Sequence, residues 1–513
     1  METEVCLKNI QMNKKAFYTI VLFVSITQQS IGQDFNQIEA KIDSLMTNGI
    51  LPSMAIGILK DGEVIYERAF GYSDIENGVP STIHTPYQLA SLSKPITAST
   101  IMKLHENGII NLDDPITKYV TLKKVDSTFT DPTIRQVMNH TAGLGTYFDI
   151  YYADERVNPV SFAEAWAQYG IQLHQPGKVS EYSNLGYGLL DDIISKATAV
   201  SFKQNVQETV FEPLKMNDSF LIGPKLNIGQ KLAKSYGHSS TVLPHLWTNT
   251  PGAGNIAASV HDMIQFASAH LQIQPYNFLK VASIHEMNTY EEPNALFHYY
   301  QDTFYGLGWY VMKNDKGQKV VWHEGGMMGA STTLKLYPKE NTAIVLLTNT
   351  YNPAVCRSVS DLISGLVIEN YTPTPINEVA EYKPVVSDTT FVGTWKGTMQ
   401  IEEQEVPISM NIENETIQFS YLDNRFASSF LTDYSPLPFH SKLQFGLVNQ
   451  GYFAGTGVGE LSAANNRNCH QHLLSFRLLK NGSSLRGEVI YLAGGEREHY
   501  ALPYSIALEK TGF

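Results

Sequence analysis

The sequence predicts an α+β fold in which an antiparallel sheet is flanked by helices and a mostly helical subdomain, with a small all-β, barrel-like domain at the C-terminus. Two strand pairs predict the sheet. Ser53–Lys60 and Glu63–Phe70 flank the turn residues Asp61–Gly62, and two further apolar runs begin at Thr332 and Thr342. Helical patterns fill much of the chain between these pairs. The two ends of the first 370 residues are therefore expected to meet in one sheet.

The length and a local change in composition predict more than one domain. A chain of 513 residues exceeds a single typical core, and Tyr371–Pro384 is proline-rich without apolar periodicity, as a linker would be. Short β-like runs separated by Asn, Asp and Gly follow from Phe391. The predicted divisions are a signal peptide with a possible upstream extension (1–32), a first domain (33–370), a linker (371–386) and a β-rich domain (387–513).

The N-terminal segment predicts export. Lys14 and Lys15 precede about ten mostly apolar residues, and the small residues Ser30 and Gly32 follow at the spacing of a cleavage site. The apolar run is too short for a lasting membrane anchor, so we expect a periplasmic or secreted protein. The chain has 3 cysteines, one of which would leave with the signal, and the others are expected to be free thiols.

The segment Ser91–Lys94 carries the pattern Ser-x-x-Lys. A lysine three residues after a serine lies on the same helix face and could exchange a proton with the hydroxyl. The following residues, through Gly108, predict a helix with proline in its first turn, which places Ser91 at a helix N-terminus. Free N–H groups there could stabilise an oxyanion beside the hydroxyl. Alone, the pattern is equally typical of a helix cap with a solvated lysine.

Two later segments supply further candidate residues. Tyr182 and Asn184 follow a turn and precede a helical run, so the phenol could relay a proton and the amide could orient a substrate or Lys94. His323 stands near the end of a predicted strand whose glycines, Gly325 and Gly326, would let a substrate lie against the backbone. Taken alone, a segment of either kind more often has a structural role than a catalytic one.

In this order, the three segments resemble the motifs of the serine β-lactamase and penicillin-binding-protein superfamily, in its class C-like branch. The resemblance covers roughly residues 36–370 and implies a β-lactamase/transpeptidase-like fold. Further matches include Thr133–Leu144 and Tyr305–Trp309, and we interpret most of these as structural; His140 is expected to be a buried packing residue, and Ser259 with Asp262 a capping box. The start of the β-rich domain, Gly-Thr-Trp, is similar to lipocalin-like domains appended to such hydrolases.

The resemblance also implies roles for single residues. Ser91 would be the acylated nucleophile, Lys94 its proton acceptor or electrostatic partner, and Tyr182 the base for deacylation. Asn184 would contact substrate, and the backbone N–H groups of Ser91 and Gly326 would form the oxyanion hole. Whether Lys94 or Tyr182 accepts the serine proton stays open at this stage. A neutral Lys94 would require burial or a nearby positive charge.

The third segment departs from the lysine-containing pattern of efficient β-lactamases. His323 and Glu324 stand where a lysine and a threonine or serine usually bind a substrate carboxylate. A largely neutral imidazole beside a carboxylate attracts an anion poorly, so the sequence favours esters, amides or peptides. Cell-wall D-amino-acid peptides are among the candidate substrates.

Charge and composition exclude several other classes. The net charge of −13 disfavours nucleic acid, and we find no metal-ligand spacing, phosphate-binding glycine loop or nucleotide fingerprint, so no cofactor or metal is expected. The main hypothesis is an exported serine hydrolase acting through an acyl-enzyme on a small-molecule or peptide substrate. The alternative is a non-catalytic binding or assembly protein that keeps the fold.

Overall fold

A computed structural model describes residues 35–373 and 390–512, with short gaps at 155–157, 228, 230, 238–239, 274–277, 291–302, 314–316, 402–403, 414–415, 423–438, 443–445, 448–451, 460–471 and 495–498. The predicted signal peptide and most of the predicted linker therefore lie outside the described residues, and the domain boundaries stay predictions. Within the described ranges, no helix is both long and apolar enough to cross a bilayer.

The first part of the chain alternates strands with helices. Its strands are β1 Ser53–Lys60, β2 Glu63–Asp74, β3 Val79–Pro80, β4 Tyr87–Gln88, β5 Lys123–Lys124, β6 Phe148–Tyr152, β7 Ile171–Gln172, β8 Phe220–Leu221, β9 Leu246–Thr248, β10 Ile256–Ala258, β11 Thr303–Tyr305, β12 Tyr310–Lys313, β13 Lys319–Met327, β14 Ala330–Tyr337 and β15 Thr342–Thr348. Its helices are α1 (35–47), α2 Ser93–Glu106, α3 Ile134–Met138, α4 Phe162–Tyr169, α5 Asn184–Thr198, α6 Phe202–Val206, α7 Pro251–Gly254, α8 Val260–His270, α9 Val281–Met287 and α10 Pro353–Val367.

The main sheet confirms that the two ends of the first 370 residues meet in one sheet, as predicted. Its eight strands run in the order β11-β12-β13-β14-β15-β1-β2-β3, and β1 pairs antiparallel with both β15 and β2. Helices cover both faces. A Cβ on Gly57 of β1 would lie 2.6 Å from Ile264 Cδ1, so the glycine lets α8 approach one face closely. On the other face, Ile38 of α1 and Val359 of α10 share a buried cluster with Ile56, and each such side chain contributes about 1.5–3 kcal/mol by burial.

Helix α2 is buried along most of its length, and it supports the candidate catalytic residues. Because few of its side chains reach water, its hydroxyl groups bond to neighbouring groups within the protein. Thr97 Oγ1 donates to the Gly252 carbonyl at 2.8 Å, and Ser99 Oγ lies 3.0 Å from His270 Nε2. These bonds fix α2 against α7 and α8.

The C-terminal part is one antiparallel sheet. Its strands are β16 Gly393–Ile401, β17 Gln404–Glu413, β18 Thr416–Tyr421, β19 Phe439–Lys442, β20 Gly446–Leu447, β21 Tyr452–Gly459, β22 His472–Asn481, β23 Ser484–Gly494 and β24 His499–Gly512. They run in the order β19-β18-β17-β16-β24-β23-β22-β21-β20. Among the described strands, β19 and β20 at the two ends do not pair, so no closed barrel is formed. The likeness to lipocalins stays a prediction.

The two parts of the chain share a sheet edge. Strand β24 of the C-terminal sheet pairs antiparallel with β6, placing Ala501 opposite Phe148, and β6 pairs in turn with β9. The C-terminal strands are thus hydrogen-bonded to the first domain.

Gly308 and Gly317 allow a test of how closely the β11–β12 loop packs on α2. Both have positive φ, +88° and +74°, but a Cβ on Gly308 would lie 2.5 Å from Ala98 Cβ, whereas one on Gly317 would meet nothing within 4 Å. We expect Gly317→Ala to lower the free energy of unfolding by about 1 kcal/mol through backbone strain. Gly308→Ala should lower it by about 1–3 kcal/mol more, through overpacking. Urea unfolding measures both, and equal losses would contradict the close packing.

Candidate active site

Ser91 lies in a tight turn immediately before α2. The turn Ala90–Leu92 is a 3₁₀ helix, and α2 begins at Ser93, so the predicted helix starts slightly earlier than its proline suggested. Ala90 has φ +49°, a conformation that a residue with a Cβ adopts at a cost. This turn presents the half-buried Ser91 to a cleft.

Lys94 places its amine against the Ser91 hydroxyl. Nζ lies 3.0 Å from Ser91 Oγ, 2.7 Å from Asn184 Oδ1 and 3.0 Å from the Ala253 carbonyl oxygen. The side chain is fully buried, and this burial lowers the pKa of Lys94 well below its usual value. Burial therefore favours the neutral amine over the ammonium.

A neutral amine has two N–H donors and one lone pair. The Asn184 amide oxygen and the Ala253 carbonyl can only accept, so they take the two N–H bonds of Lys94. The lone pair is left for the remaining neighbour, the Ser91 hydroxyl, which can donate. This geometry makes Lys94 the group that can accept the serine proton.

The second predicted segment is anchored at the start of α5. Ser183, rather than Asn184, caps the helix: its Oγ accepts from the Gly186 N–H at 3.0 Å and donates to the Gly145 carbonyl at 2.7 Å. The Ser183 N–H donates to His140 Nδ1 at 3.1 Å. The cap frees the Asn184 side chain to face Lys94, and it leaves Tyr182 on the loop before the helix, as predicted.

An aromatic layer surrounds Tyr182. Its ring centroid lies 4.4 Å from His140, 6.4 Å from Tyr310 in a stacked arrangement, and 6.4 Å from His323. Lys94 Nζ lies 4.7 Å from the centre of the Tyr182 ring. His140 is buried, as predicted for a packing residue, and desolvation, followed by the nearby Lys94, lowers its pKa well below its usual value.

His323 is buried within this layer. Its Nδ1 lies 2.7 Å from the Glu324 carbonyl, which can only accept, so Nδ1 carries the proton. Its Nε2 lies 2.9 Å from Tyr305 Oη and accepts the phenol proton. Burial, followed by the nearby Lys94, lowers the pKa of His323 to about 3, so the imidazole stays neutral. His323 is only 1% exposed. Its predicted contact with substrate stays a prediction.

The glycines of β13 let the strand approach the nucleophile turn. A Cβ on Gly325 would lie 2.0 Å from the Leu89 carbonyl oxygen and 2.4 Å from Thr332 Oγ1, so only glycine fits. Gly325 is therefore buried against the Ser91 turn, while Gly326 is exposed towards the cleft. The predicted pair for an oxyanion hole, Ser91 and Gly326, thus borders the same cleft.

The cleft has a volume of about 330 Å³. Its lining residues are mostly apolar or neutral: Ala90, Ser91, Thr146, Phe148, Ile150, Tyr182, Asn184, Thr248, Thr250, Ala253, Gly254, Tyr310, Glu324, Gly326, Met327 and Tyr351. Within that set, Glu324 carries the one charged side chain. Across the described part of the chain, no group of three or more His, Cys, Asp or Glu residues could hold a metal ion.

The fold thus brings together Ser91, Lys94, Tyr182, Asn184 and Gly326, whereas His323 and Gly325 lie behind the cleft. Sequence reasoning missed the Ala253 carbonyl that accepts from Lys94. It also missed Tyr305 as the partner of His323. A backbone carbonyl leaves no signal in side-chain identity.

The chain is similar in sequence and in fold to several known proteins. A family model described as Beta-lactamase matches residues 38–362. Protein flp of Staphylococcus aureus strain MRSA252 is 30% identical over 376 residues, which cover 70% of this chain and 71% of that protein. Penicillin-binding protein 4* of Bacillus subtilis strain 168 is 25% identical over 382 residues, covering 69% of this chain and 81% of that protein. The structure of the octameric penicillin-binding protein homologue from Pyrococcus abyssi has a TM-score of 0.57 at 21% identity and covers 92% of this chain and 100% of that one.

The lowered pKa of Lys94 predicts a pH dependence of stability. Between its lowered native pKa and the usual 10.5, the unfolded chain binds one more proton at this residue than the native protein, so stability rises with pH. Replacing Lys94 by Met removes this contribution. The difference in unfolding free energy, wild type minus Lys94→Met, should increase by up to about 1.4 kcal/mol per pH unit as the pH rises towards 10.5.

Urea unfolding at several pH values measures this difference. Lys103→Met is the matched control, because Lys103 lies on the same helix with a side chain that is 29% exposed and paired with Glu106. Parallel curves for wild type and Lys94→Met would show that the native amine is protonated.

Proposed function

Because the chain belongs to the beta-lactamase family, we propose that it is an exported enzyme that hydrolyses esters, amides or peptides through a Ser91 acyl-enzyme. The single observation that carries this proposal is the contact between the buried Lys94 amine, whose pKa is lowered by burial, and the Ser91 hydroxyl. Export is supported by the charged and apolar N-terminal segment of the sequence.

Acylation begins when Ser91 Oγ attacks the substrate carbonyl carbon. The hydroxyl proton passes to Lys94 Nζ as the new C–O bond forms, and the carbonyl oxygen becomes an oxyanion. The Asn184 and Ala253 oxygens that surround the amine then stabilise the ammonium that results. Collapse of the tetrahedral intermediate breaks the bond to the leaving group, which takes up a proton.

The oxyanion is stabilised by backbone donors at the cleft wall. Ser91 precedes α2, and Gly326 borders the cleft on β13, which is held close by the missing Cβ of Gly325. Fixed N–H groups of this kind typically contribute about 3–4 kcal/mol to transition-state stabilisation.

Tyr182 promotes deacylation in this proposal. It lines the cleft together with Ser91, and the centre of its ring is 4.7 Å from Lys94 Nζ. Water attacks the acyl carbonyl carbon and passes a proton through the phenol to the amine. The bond from that carbon to Ser91 Oγ then breaks, Oγ takes the proton back, and the acid product leaves.

The cleft favours substrates without a carboxylate near the scissile bond. Glu324 is the one charged residue of its described lining, and His323, being neutral and buried, supplies no positive charge. A substrate with a neutral or cationic group avoids repulsion by Glu324. D-amino-acid peptides with such groups, which the resemblance of the sequence motifs suggested, are one candidate class.

The alternative, a non-catalytic binding protein that keeps the fold, is disfavoured because the arrangement of the site lowers the stability of the protein. A neutral buried lysine next to a serine, after a strained Ala90, lowers stability without benefiting a binding function.

Labelling with a fluorophosphonate tests the proposed nucleophile. Intact-mass analysis should show one label on the wild type, and Ser91→Ala should remove both the label and turnover of a chromogenic ester. Ser93→Ala is the control, because Ser93 Oγ accepts the Ile256 N–H at 3.1 Å and supports the turn without facing the cleft. Absence of labelling together with absence of turnover across ester, amide and D-peptide panels would favour the binding-protein alternative.

Changing Glu324 tests the proposed substrate class. Glu324→Lys should improve kcat/KM for a carboxylate-bearing β-lactam relative to a neutral ester by about 1–2 kcal/mol, roughly five- to thirtyfold, and Glu324→Gln should give part of that shift. Glu369→Lys, an exposed position outside the cleft lining, makes the same change in net charge and is the control. Equal selectivity in all variants would show that Glu324 does not act on the bound substrate.

A further inference from the structure

A buried ionic cluster joins the C-terminal sheet to the loop that carries Tyr182. The Arg477 cluster consists of Arg477 on β22, Glu488 on β23, and Glu181 and His174 of the first domain. Arg477 Nη1 pairs with Glu181 and lies 3.4 Å from Glu488 Oε1. His174 Nε2 lies 3.4 Å from Glu181 Oε2. The side chains are almost fully buried, at 1–2% exposed for the two glutamates and the histidine and 14% for Arg477.

The cluster contacts Tyr182 through two short paths. Arg477 Nη1 donates to Thr146 Oγ1 at 3.0 Å, and Thr146 Oγ1 donates to the Tyr182 carbonyl at 2.9 Å. The other path runs through Glu181, the residue before Tyr182, whose carboxylate pairs with Arg477 and whose N–H donates to the His140 carbonyl at 2.8 Å. Arg477 thus holds both Glu181 and, through Thr146, the Tyr182 carbonyl.

Packing around the cluster leaves little freedom. A Cβ on Gly145 would lie 2.3 Å from Glu488 Oε2, so the first domain approaches β23 as closely as a glycine permits. Next to it, β24 pairs with β6 opposite Phe148, which lines the cleft. The C-terminal sheet therefore supports both the Tyr182 loop and one wall of the cleft.

The support depends on the positive charge of Arg477. Nη1 of the guanidinium makes all three contacts, to Glu181, Thr146 and Glu488, and its charge offsets the two buried carboxylates. Removing Arg477 would leave the Glu181 carboxylate buried without its counter-charge, and the loop would have to move to hydrate it.

We propose that Arg477 is a positioning residue for Tyr182, and that the C-terminal sheet thereby completes the active site. This inference rests on the proposed function, in which Tyr182 promotes deacylation. The mutual geometry of Ser91 and Lys94 is fixed by α2, Asn184 and Ala253, none of which belongs to the Arg477 cluster. Loss of Arg477 should therefore impair deacylation more than acylation.

The kinetic test compares Arg477→Met with Arg486→Met in the full-length protein. Arg486 lies on β23 with a side chain that is 43% exposed, near Glu509, and serves as the matched control. In Arg477→Met, kcat for a chromogenic ester should fall on the order of 10- to 100-fold, since a displaced catalytic group costs this much. The rate of fluorophosphonate labelling of Ser91 should change less than about threefold, and an acyl-enzyme burst should appear.

Rescue separates positioning from a general loss of folding. Glu181→Gln added to Arg477→Met removes the uncompensated carboxylate and should recover at least about threefold of the lost kcat, a coupling expected of contacting residues. Arg477→Lys should lie between Arg477→Met and wild type. If labelling and kcat fall in equal proportion, or if kcat in Arg477→Met equals that of the control, the positioning role is refuted.

Hydrogen exchange tests the positioning without relying on activity. Peptides covering residues 177–187 should exchange faster in Arg477→Met than in wild type or Arg486→Met, because the contacts that hold Glu181 and the Tyr182 carbonyl are lost. If exchange is faster in Arg477→Met but the wild type is never labelled at Ser91, the positioning role stands and the proposed function is refuted. Unchanged exchange in a folded Arg477→Met would refute the positioning role even if the enzyme is active.

Discussion

The amine of Lys94 lies 3.0 Å from Ser91 Oγ in surroundings that exclude water, and many features of the first domain serve to keep it there. An ammonium in this position would lack a counter-charge among its hydrogen-bonding partners, which are an amide oxygen, a carbonyl oxygen and a hydroxyl. Desolvation therefore favours the neutral amine. The two acceptors come from α5 and α7, so the base is assembled only when three helices pack correctly.

The aromatic layer behind the cleft also contains buried groups that are held neutral. His140 and His323 both have lowered pKa values, for which burial is the larger cause and the neighbouring Lys94 the next. Both imidazoles are consequently neutral, and each uses a ring nitrogen to accept a hydrogen bond, from the Ser183 N–H and from Tyr305 respectively. These neutral groups, together with Glu324 at the cleft, support the proposed preference for substrates without a carboxylate.

The C-terminal sheet changes how the domain organisation is understood. Composition suggests two units joined by a proline-rich segment, yet β24 extends the sheet across β6 and the Arg477 cluster is buried between the two units. A buried charge pair contributes little net stability compared with apolar packing, but it fixes geometry because each partner requires the other. Such a contact is well suited to orienting a loop next to a reacting centre.

The sequence by itself determined the elements whose physical causes are local. Alternating apolar residues around Asp61–Gly62 predicted the β1–β2 hairpin, the Ser-x-x-Lys pattern predicted the nucleophile and its neighbour, and the turn before α5 placed Tyr182 on a loop. These signals depend on hydrophobic periodicity, backbone preferences and the three-residue repeat of a helix face, which act over a few residues.

Only the tertiary structure decided what depends on residues distant in sequence. Burial lowers the pKa of Lys94, and the oxygens that accept from its amine lie 90 and 159 residues away, so the sequence left the identity of the base open. His323 is buried against Tyr305, and the link from Arg477 to Thr146 spans 331 residues. Electrostatic free energies depend on desolvation and on distance in space, and local sequence encodes neither.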